Sequence, residues 1–291
     1  MLQSQNKPNL FILGAPKAGT TFLFEKLKNS NDFFFPKLKE LNYFSFNDLN
    51  EKSYYNDYKV NTLDKYLSFY KNTESAKYVI DGSVSYFTSE NALKDIASFN
   101  TESKIIIILR NPIQRAFSHY QMDKRMGYAT KNFKDYLKDN NDRHYHEYVE
   151  NSLYFKNIEI ASKYFEKKNI IILTLEEISK NLDRLSLFLQ LDLEIISKKE
   201  LGEKINENKA PKNFLGRIMQ KNRNLVSILK IFIPKKISDK IKSPFYGEAK
   251  KEFITEEDYL LIYGILKEDI EKLSLYLGID LIEFWKIKSN G

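Results

Sequence analysis

The chain has 291 residues, of which 42% are hydrophobic, and its 46 lysines and arginines outnumber 39 acidic residues to give a net charge of +7. This composition excludes a disordered chain, and the absence of cysteine excludes disulfides, thiolate metal sites and a cysteine nucleophile. The sequence contains no apolar run near the ~20 residues of a membrane span and no signal-peptide pattern at its N-terminus. We therefore expect a cytoplasmic protein whose positive charge favours anionic ligands, although a lysine-rich surface also serves solubility.

Four short apolar runs predict buried parallel strands, because they are continuous rather than alternating. These runs are Leu10–Leu13, Tyr78–Ile80, Lys104–Leu109 and Asn169–Leu173. The helical patterns that separate them are Thr62–Tyr70, Ser89–Ala97, Pro112–Met122 and Leu153–Phe165. Strands alternating with helices predict an α/β protein with a P-loop-like three-layer fold, in which helices flank a central parallel sheet of about four to five strands.

Beyond Leu191 the strand pattern fades, and Phe214–Leu229 and Glu256–Leu277 are predicted helices. The basic stretch 234–242 between them is typical of a solvated helix, with contact to an anionic surface or membrane as the alternative. No internal repeat or low-complexity linker divides the chain. We therefore predict a single domain over 1–291, with a core at 8–190 and a helical C-terminal part at 191–291.

The first strand leads into a glycine-rich turn that precedes a helical pattern. The turn consists of Gly14, Ala15, Pro16, Lys17, Ala18, Gly19, Thr20 and Thr21. A strand, turn and helix in this order direct backbone N–H groups and a helix N-terminus at a phosphate. A Walker A loop has a lysine after its second glycine, whereas here Thr20 stands there and Lys17 is the only cation. The turn thus predicts a phosphate site without the usual magnesium arrangement.

A second anion site is predicted directly after the third strand. Arg110 follows the strand at its carboxyl end, where open parallel sheets bind ligands, and Pro112 suits the first position of a helix. Arg115 and Ser118 are three residues apart and are expected to share a helix face. We therefore expect Arg110 and Ser118 to converge on one anion. Two anion sites on one sheet predict a ligand with two separated phosphates.

These two segments resemble the nucleotide motifs of sulfotransferases. Residues 14–21 are similar to the family's 5′-phosphosulfate loop, and 110–120 to its 3′-phosphate motif, R-x-P-x-x-R-x-x-S-x-Y. Within the family, the chain most resembles the bacterial and heparan-sulfate-type carbohydrate sulfotransferases, and weaker similarity extends to 151–154, 206–212 and 281–285. The resemblance implies transfer of a sulfuryl group from 3′-phosphoadenosine 5′-phosphosulfate (PAPS) to a hydroxyl or amine, with 3′-phosphoadenosine 5′-phosphate (PAP) as the product.

The resemblance also assigns roles to individual residues. Lys17 would stabilise the leaving phosphate, so that no metal is required, and Glu40 would be the base that deprotonates the acceptor. The implied nucleotide-binding residues are Ala15, Pro16, Lys17, Ala18, Gly19, Thr20, Thr21, Arg110, Ser118, Tyr154, Lys209 and Lys212. The late nucleotide loop is placed at Lys209–Asn213, with Tyr246–Lys250 as the second candidate.

Some residues depart from the family pattern or compete for a role in it. Val84 stands where relatives have proline, and neither residue before it is the lysine that heparan-type relatives use near the catalytic centre. That role is therefore unassigned. His119 is a rival base but is expected to be structural. His144 and His146 are interpreted as loop residues, because no third metal ligand stands at a useful spacing.

Two other functions fit parts of the sequence. A P-loop kinase would require Mg²⁺ and the missing lysine after the second glycine. A non-catalytic nucleotide- or polyanion-binding protein would need Arg110 and Ser118 but neither Lys17 nor Glu40. The expected partner is a carbohydrate or another hydroxyl-bearing acceptor, with no nucleic acid and no integral membrane segment. The identity of the acceptor and the oligomeric state stay open.

Overall fold

A computed structural model describes residues 7–55, 60–178, 182–193 and 252–288, and the backbone alone of 209–211 and 246–248. Five parallel strands form the central sheet in the order β2-β3-β1-β4-β5. They are β1 (Leu10–Gly14), β2 (Phe33–Phe34), β3 (Tyr78–Asp81), β4 (Lys104–Leu109) and β5 (Ile170–Thr174). The predicted α/β fold is confirmed. The edge strand β2 was not among the four predicted strands, since two residues are too few to show a pattern.

Helices cover both faces of this sheet. The helices in the described ranges are α1 (Thr20–Leu27), α2 (Phe46–Lys52), α3 (Leu63–Leu67), α4 (Glu90–Phe99), α5 (Pro112–Met126), α6 (Phe133–Leu137), α7 (Arg143–Tyr148), α8 (Tyr154–Tyr164), α9 (Leu182–Leu189), α10 (Glu256–Leu277) and α11 (Leu281–Phe284). The predicted helix ending at Met122 runs four residues further as α5, because the left-handed Gly127 (φ 81°) ends it. The predicted helix Phe214–Leu229 lies outside the described residues.

The sheet is buried on both faces, as the continuous apolar strands require. Alternate residues of β4 belong to two separate apolar clusters: Ile105 and Ile107 pack with α4, α5, α8 and α10, and Ile106 and Ile108 pack with α1 and α9. Residues Ile105–Leu109 have no exposed surface at all. Each fully buried aliphatic side chain contributes about 1.5–3 kcal/mol to folding, so this strand anchors the loop that follows it.

The C-terminal helices pack against the segments that border the carboxyl end of the sheet. Asp269 on α10 accepts hydrogen bonds from the backbone N–H groups of Phe155 (2.9 Å) and Lys156 (3.0 Å), which are otherwise unpaired in the first turn of α8. The Asn111 amide donates to the Trp285 carbonyl (3.2 Å). No helix within the described part of the chain is long and apolar enough to cross a membrane.

The two alternative positions for the late nucleotide loop pair with each other. Lys209–Pro211 (β6) and Tyr246–Glu248 (β7) form an antiparallel two-stranded sheet with Lys209 opposite Glu248. The two alternatives are therefore neighbouring strands of one ribbon rather than separate loops. Lys212 lies outside the described residues.

Candidate active site

A cavity of about 1140 Å³ lies at the carboxyl ends of four strands, and we call it the central cavity. Each of these strands contributes a lining residue from the loop that follows it. Lys17 follows β1, Ser85 follows β3, Arg110 follows β4 and Glu176 follows β5. This edge is where an open parallel sheet binds its ligands, because the loops there converge while the strands hold them rigidly.

The glycine-rich loop needs its second glycine for two reasons. Gly19 has φ 90°, which side chains rarely tolerate, and it directly precedes α1. A β-carbon at this position would also lie 2.5 Å from Leu175 Cδ1 in the loop after β5. Lys17 itself adopts a left-handed conformation (φ 65°). The loop is thus folded tightly, and the unpaired N–H groups of the first turn of α1 lie at the cavity.

Most of the residues proposed from the sequence share this cavity. Those that line it are Pro16, Lys17, Gly19, Thr20, Thr21, Glu40, Arg110 and Ser118. Ala15 and Ala18, in the same loop, are fully buried, and Ala18 N–H donates to the Ala15 carbonyl (3.2 Å). Tyr154 is buried against Trp285, with ring centroids 6.4 Å apart, and is not a lining residue. The described structure includes only the backbone of Lys209.

The Lys17 ammonium group lies in an environment that disfavours its charge. Its Nζ contacts Met122 Sδ at 3.5 Å. Burial, together with the positive charges of Arg125 and Arg110, lowers the pKa of Lys17 to about 8, and Asp123 opposes this shift. A bound anion next to Nζ would replace the missing counter-charge. The lysine is thus suited to stabilise negative charge that develops on a leaving phosphate.

The two arginines of the second motif have different surroundings. The Arg110 guanidinium makes long hydrogen bonds to the Lys17 carbonyl and the Gln114 side chain, both 3.4 Å, and is partly exposed to the cavity. Arg115 is fully buried and donates to Ser152 Oγ and to the carbonyl of Glu147, both at 2.7 Å. Arg115 therefore points into the core and does not share the cavity-facing surface of Ser118.

Glu40 lies at the rim of the central cavity, in a loop with an uncommon backbone conformation. Glu40 (φ 64°) and Asn42 (φ 55°) are both left-handed, although neither is glycine. The Glu40 carboxylate is 44% exposed and forms a 2.7 Å ion pair with Lys39 Nζ. Non-glycine residues persist in this conformation where surrounding contacts fix them, and such residues concentrate at functional sites.

Hydrogen bonds to the loop after β3 hold Asn42, two residues beyond Glu40. The buried Ser83 hydroxyl accepts from Asn42 N–H (3.0 Å) and donates to the Asp81 carboxylate (2.5 Å). Ser85 Oγ donates to the Asn42 side-chain oxygen (2.8 Å) and lies 2.7 Å from Ser45 Oγ. We call this set the Asp81–Asn42 relay. Nothing in the local sequence indicates it, because its members come from segments about 40 residues apart.

A buried polar network lies behind Lys17. Three tyrosine hydroxyls, those of Tyr54, Tyr55 and Tyr148, donate to the Asp123 carboxylate. Tyr55 OH also bonds His119 Nε2 at 2.9 Å. Burial, with the positive charges of Arg115 and Lys17, lowers the pKa of His119 well below its usual value, so its ring is neutral. His119 lines the cavity, but its ring nitrogens already have partners.

The remaining histidines lie in α7, not in a loop as the sequence suggested. His144 pairs with Asp142 and His146 with Glu150, each at 2.7 Å. Across the parts of the chain that the structure describes, no three His, Asp or Glu side chains are grouped to hold a metal ion.

The wall of the central cavity on the β3 side is polar, and the sequence did not single it out. Its residues carry hydroxyl, amide and carboxylate groups and include Asn42, Ser45, Asp48, Ser85, Thr88 and Ser89. Asp48 accepts hydrogen bonds from Ser89 Oγ and from the Asn91 amide (3.1 Å). These groups suit a ligand rich in hydrogen-bonding atoms.

Comparisons with known proteins agree with this architecture. The family model of the sulfotransferase domain matches residues 7–225, so the chain belongs to the sulfotransferase domain family. A crystal structure of a sulfotransferase from Alicyclobacillus acidocaldarius is 20% identical with a TM-score of 0.68, and the match covers 96% of this chain and 99% of that one. This similarity shows that the two proteins share a fold. No curated protein sequence matches the chain.

Two further structures have lower scores. The sulfotransferase domain of the Synechococcus PCC 7002 olefin synthase is 15% identical with a TM-score of 0.49, and the match covers 89% of this chain and 94% of that domain. Mouse sulfotransferase SULT7A1, in a complex with PAP, is 15% identical with a TM-score of 0.45. That match covers 69% of this chain and 68% of the mouse protein.

Proposed function

We propose that this protein is a PAPS-dependent sulfotransferase that acts on a hydroxyl group, or an amine, of a carbohydrate. The observation that carries the proposal is the joint position of Lys17, Arg110 and Ser118 on one cavity. These residues follow or lie just beyond β1 and β4, which are adjacent strands. Two cationic sites on adjacent strand ends suit a nucleotide with one phosphate at each end of its ribose.

The positions of these residues around the central cavity suggest where each phosphate of the nucleotide would bind. Backbone N–H groups at Gly19–Thr21 would hold the 5′-phosphate, and Arg110 and Ser118 would hold the 3′-phosphate. Lys17 would lie next to the oxygen that bridges phosphate and sulfate. This division explains why a lysine occurs early in the loop and threonines occur where a magnesium-dependent enzyme would place lysine and serine.

Sulfuryl transfer requires two things of the protein: stabilisation of the charge on the leaving phosphate and removal of the acceptor's proton. PAPS supplies the sulfuryl group: a new S–O bond to the acceptor forms as the S–O bond to the 5′-phosphate breaks, and PAP is released. Lys17 would stabilise the negative charge that appears on that phosphate. Glu40 would accept the acceptor's proton, a contribution typically worth about 10²–10⁴-fold in rate.

A carbohydrate is the acceptor class that best suits the polar wall of the central cavity. Sugar hydroxyls both donate and accept hydrogen bonds, and the wall offers serine hydroxyls, the Asn42 amide and the Asp48 carboxylate within the same cavity as Lys17. The resemblance of the chain to bacterial and heparan-sulfate-type carbohydrate sulfotransferases supports the same acceptor class. Both arguments support a saccharide over a small phenol.

Ligand-induced thermal stabilisation tests the proposal directly. We expect PAP to raise the Tm more than ATP with Mg²⁺ at equal concentration, because only PAP carries a phosphate at both the 3′- and the 5′-position of its ribose. Arg110→Ala should weaken PAP binding at least tenfold. The matched ligand is adenosine 5′-phosphosulfate, which lacks the 3′-phosphate and whose affinity should change much less.

A stronger effect of ATP with Mg²⁺ would instead indicate a kinase-like phosphotransferase. Transfer itself is tested with ³⁵S-labelled PAPS and a panel of neutral and sulfated oligosaccharides, glycolipids and phenols. Tight PAP binding without transfer to any member of that panel would indicate a non-catalytic nucleotide-binding protein. Transfer to a phenol but to no saccharide would contradict the acceptor assignment alone.

A further inference from the structure

Lys39, the residue before the proposed base, has a largely buried side chain that contacts Glu40 and Phe24 and packs beside Gly82. Its Nζ lies 2.7 Å from Glu40 Oε1 and 5.8 Å from the centroid of the Phe24 ring. Its Cε lies 3.6 Å from the point where a β-carbon on Gly82 would stand. Only 16% of the side chain is exposed, although lysines are usually well solvated. The position of this ammonium group is therefore determined by packing.

Gly82 lies beside the Lys39 stem, and its missing side chain leaves room for the Phe24 ring. It follows β3 directly, and a β-carbon there would lie 2.9 Å from the Phe24 ring. The lysine stem therefore crosses the carboxyl end of β3, beside the loop that forms part of the cavity wall. Residues 82–85 carry no positive charge of their own. Lys39 supplies one at this edge and directs it at the Glu40 carboxylate.

A second lysine–glutamate pair in the same region differs from the Lys39–Glu40 pair in the exposure of its lysine and in its distance from the cavity. Lys28 and Glu25 on α1 are also 2.7 Å apart, and Lys28 also lies over the Phe24 ring at 5.0 Å. Glu25 is as exposed (43%) as Glu40 (44%), but Lys28 is 40% exposed, and neither member lines the cavity. Ion pairs of this exposed kind contribute about 0–1 kcal/mol.

We infer that Lys39 is a positioning residue for sulfuryl transfer: its ammonium group holds Oε1 of Glu40 and leaves Oε2 to accept the proton of the acceptor. The inference rests on the proposed function, because it takes Glu40 as the base. A carboxylate that is held in place before the acceptor binds loses less conformational freedom in the transition state. Lys39 should therefore raise kcat and have little effect on substrate binding.

The experiment compares Lys39→Ala, Lys39→Arg, Glu40→Gln and the double variant Lys39→Ala/Glu40→Gln, with Lys28→Ala as the matched control. Sulfate transfer from ³⁵S-PAPS is followed with the best acceptor of the panel, or with water as acceptor through release of sulfate. We expect Lys39→Ala to lower kcat about tenfold or more with little change in the KM for PAPS, and Lys39→Arg to restore most of it. The double variant should be no slower than Glu40→Gln, and Lys28→Ala should match the wild type.

Three outcomes would overturn the inference. Normal kcat in Lys39→Ala, alongside a slow Glu40→Gln, would remove Lys39 while leaving the proposed base intact. Losses that multiply in the double variant would show that Lys39 does not act through Glu40. Equal losses in Lys28→Ala and Lys39→Ala, with a lower Tm for both, would assign the effect to packing on Phe24. Failure of the proposed function appears separately, as absence of stabilisation by PAP.

Discussion

Lys17 is a cation surrounded mainly by other cations. The charges of Arg125, Arg110 and Arg115 and the burial of its ammonium group all lower its pKa, and Asp123 alone opposes them among the main contributions. Such a site favours a bound anion, because the anion would supply a counter-charge for the buried ammonium group. The same environment makes the charge of Lys17 sensitive to mildly alkaline pH.

We predict that kcat/KM for PAPS falls as the pH rises through about 8, because the free enzyme then loses the Lys17 proton. The sign follows from the lowered pKa: Lys17 is charged below that value and neutral above it. The value of kcat should fall only at higher pH, since a bound anion favours the charged lysine.

Initial rates between about pH 6 and 10 provide the measurement for this residue. Lys17→Arg is the control, because an arginine stays charged over this whole range and should abolish the alkaline decline even if its rate is low. An unchanged decline in that variant would assign it to another group. A profile that is flat for the wild type would mean that Lys17 keeps its proton in the free enzyme.

At the scale of elements, the loop that carries Glu40 depends on the loop after β3. The Asp81–Asn42 relay links the end of β3 to left-handed Asn42, and the bond from Asn42 N–H to Ser83 joins segments 41 residues apart. Ser83 is its central member and has no exposed surface. Its removal leaves a buried N–H and a buried carboxylate each without one partner.

We predict that Ser83→Ala lowers the free energy of unfolding by about 1–3 kcal/mol, the usual cost of buried groups left unpaired. It should also lower kcat more than it raises the KM for PAPS, because the Glu40 loop loses its fixed conformation. Denaturant unfolding and steady-state kinetics measure the two effects. Ser98→Ala is the control, since Ser98 is exposed on α4 and bonds only the Lys94 carbonyl. Equal effects of both substitutions would contradict a special role for the relay.

The contact between α10 and α8 gives a second prediction at this scale. Asp269→Ala should cost about 1–3 kcal/mol, because the first-turn N–H groups of Phe155 and Lys156 lose their buried acceptor. The midpoint of denaturant unfolding measures the loss. Glu271→Ala, two residues away on the exposed side of the same helix, should change stability by no more than about 0.5 kcal/mol. A stable Asp269→Ala protein would mean that water satisfies the start of α8 equally well.

At the scale of the whole molecule, the features that could be predicted from the sequence are those that depend on a local residue pattern. Ile105–Leu109 could be recognised as a buried strand because every residue is apolar and most are β-branched, and the two predicted phosphate motifs directly follow such strands. The carboxyl ends of parallel strands meet at one edge, so the meeting of Lys17 with Arg110 followed from the topology. The apolar strand pattern and the geometry of a parallel sheet were together sufficient to predict that Lys17 and Arg110 lie close together.

The other half depends on contacts between distant segments, which have no local pattern. Tyr55 reaches His119 across 64 positions, and Asn42 reaches Ser83 across 41. The burial of Arg115 also escaped prediction, because a three-residue spacing fixes only an approximate helix face and cannot show which neighbour fills the core. The single-domain boundaries and the individual roles of Glu40 and Tyr154 stay predictions.

The bond from Asn111 to the Trp285 carbonyl spans 174 positions and has a consequence for protein synthesis. A ribosome makes all five strands of the sheet long before it reaches Trp285, and chains generally begin to fold from the N-terminus during synthesis. The segment next to Arg110 therefore receives this partner only after Trp285 has been synthesised. A nascent chain with a complete sheet therefore still lacks this contact beside the cavity, and it gains the contact only after translation has passed α11.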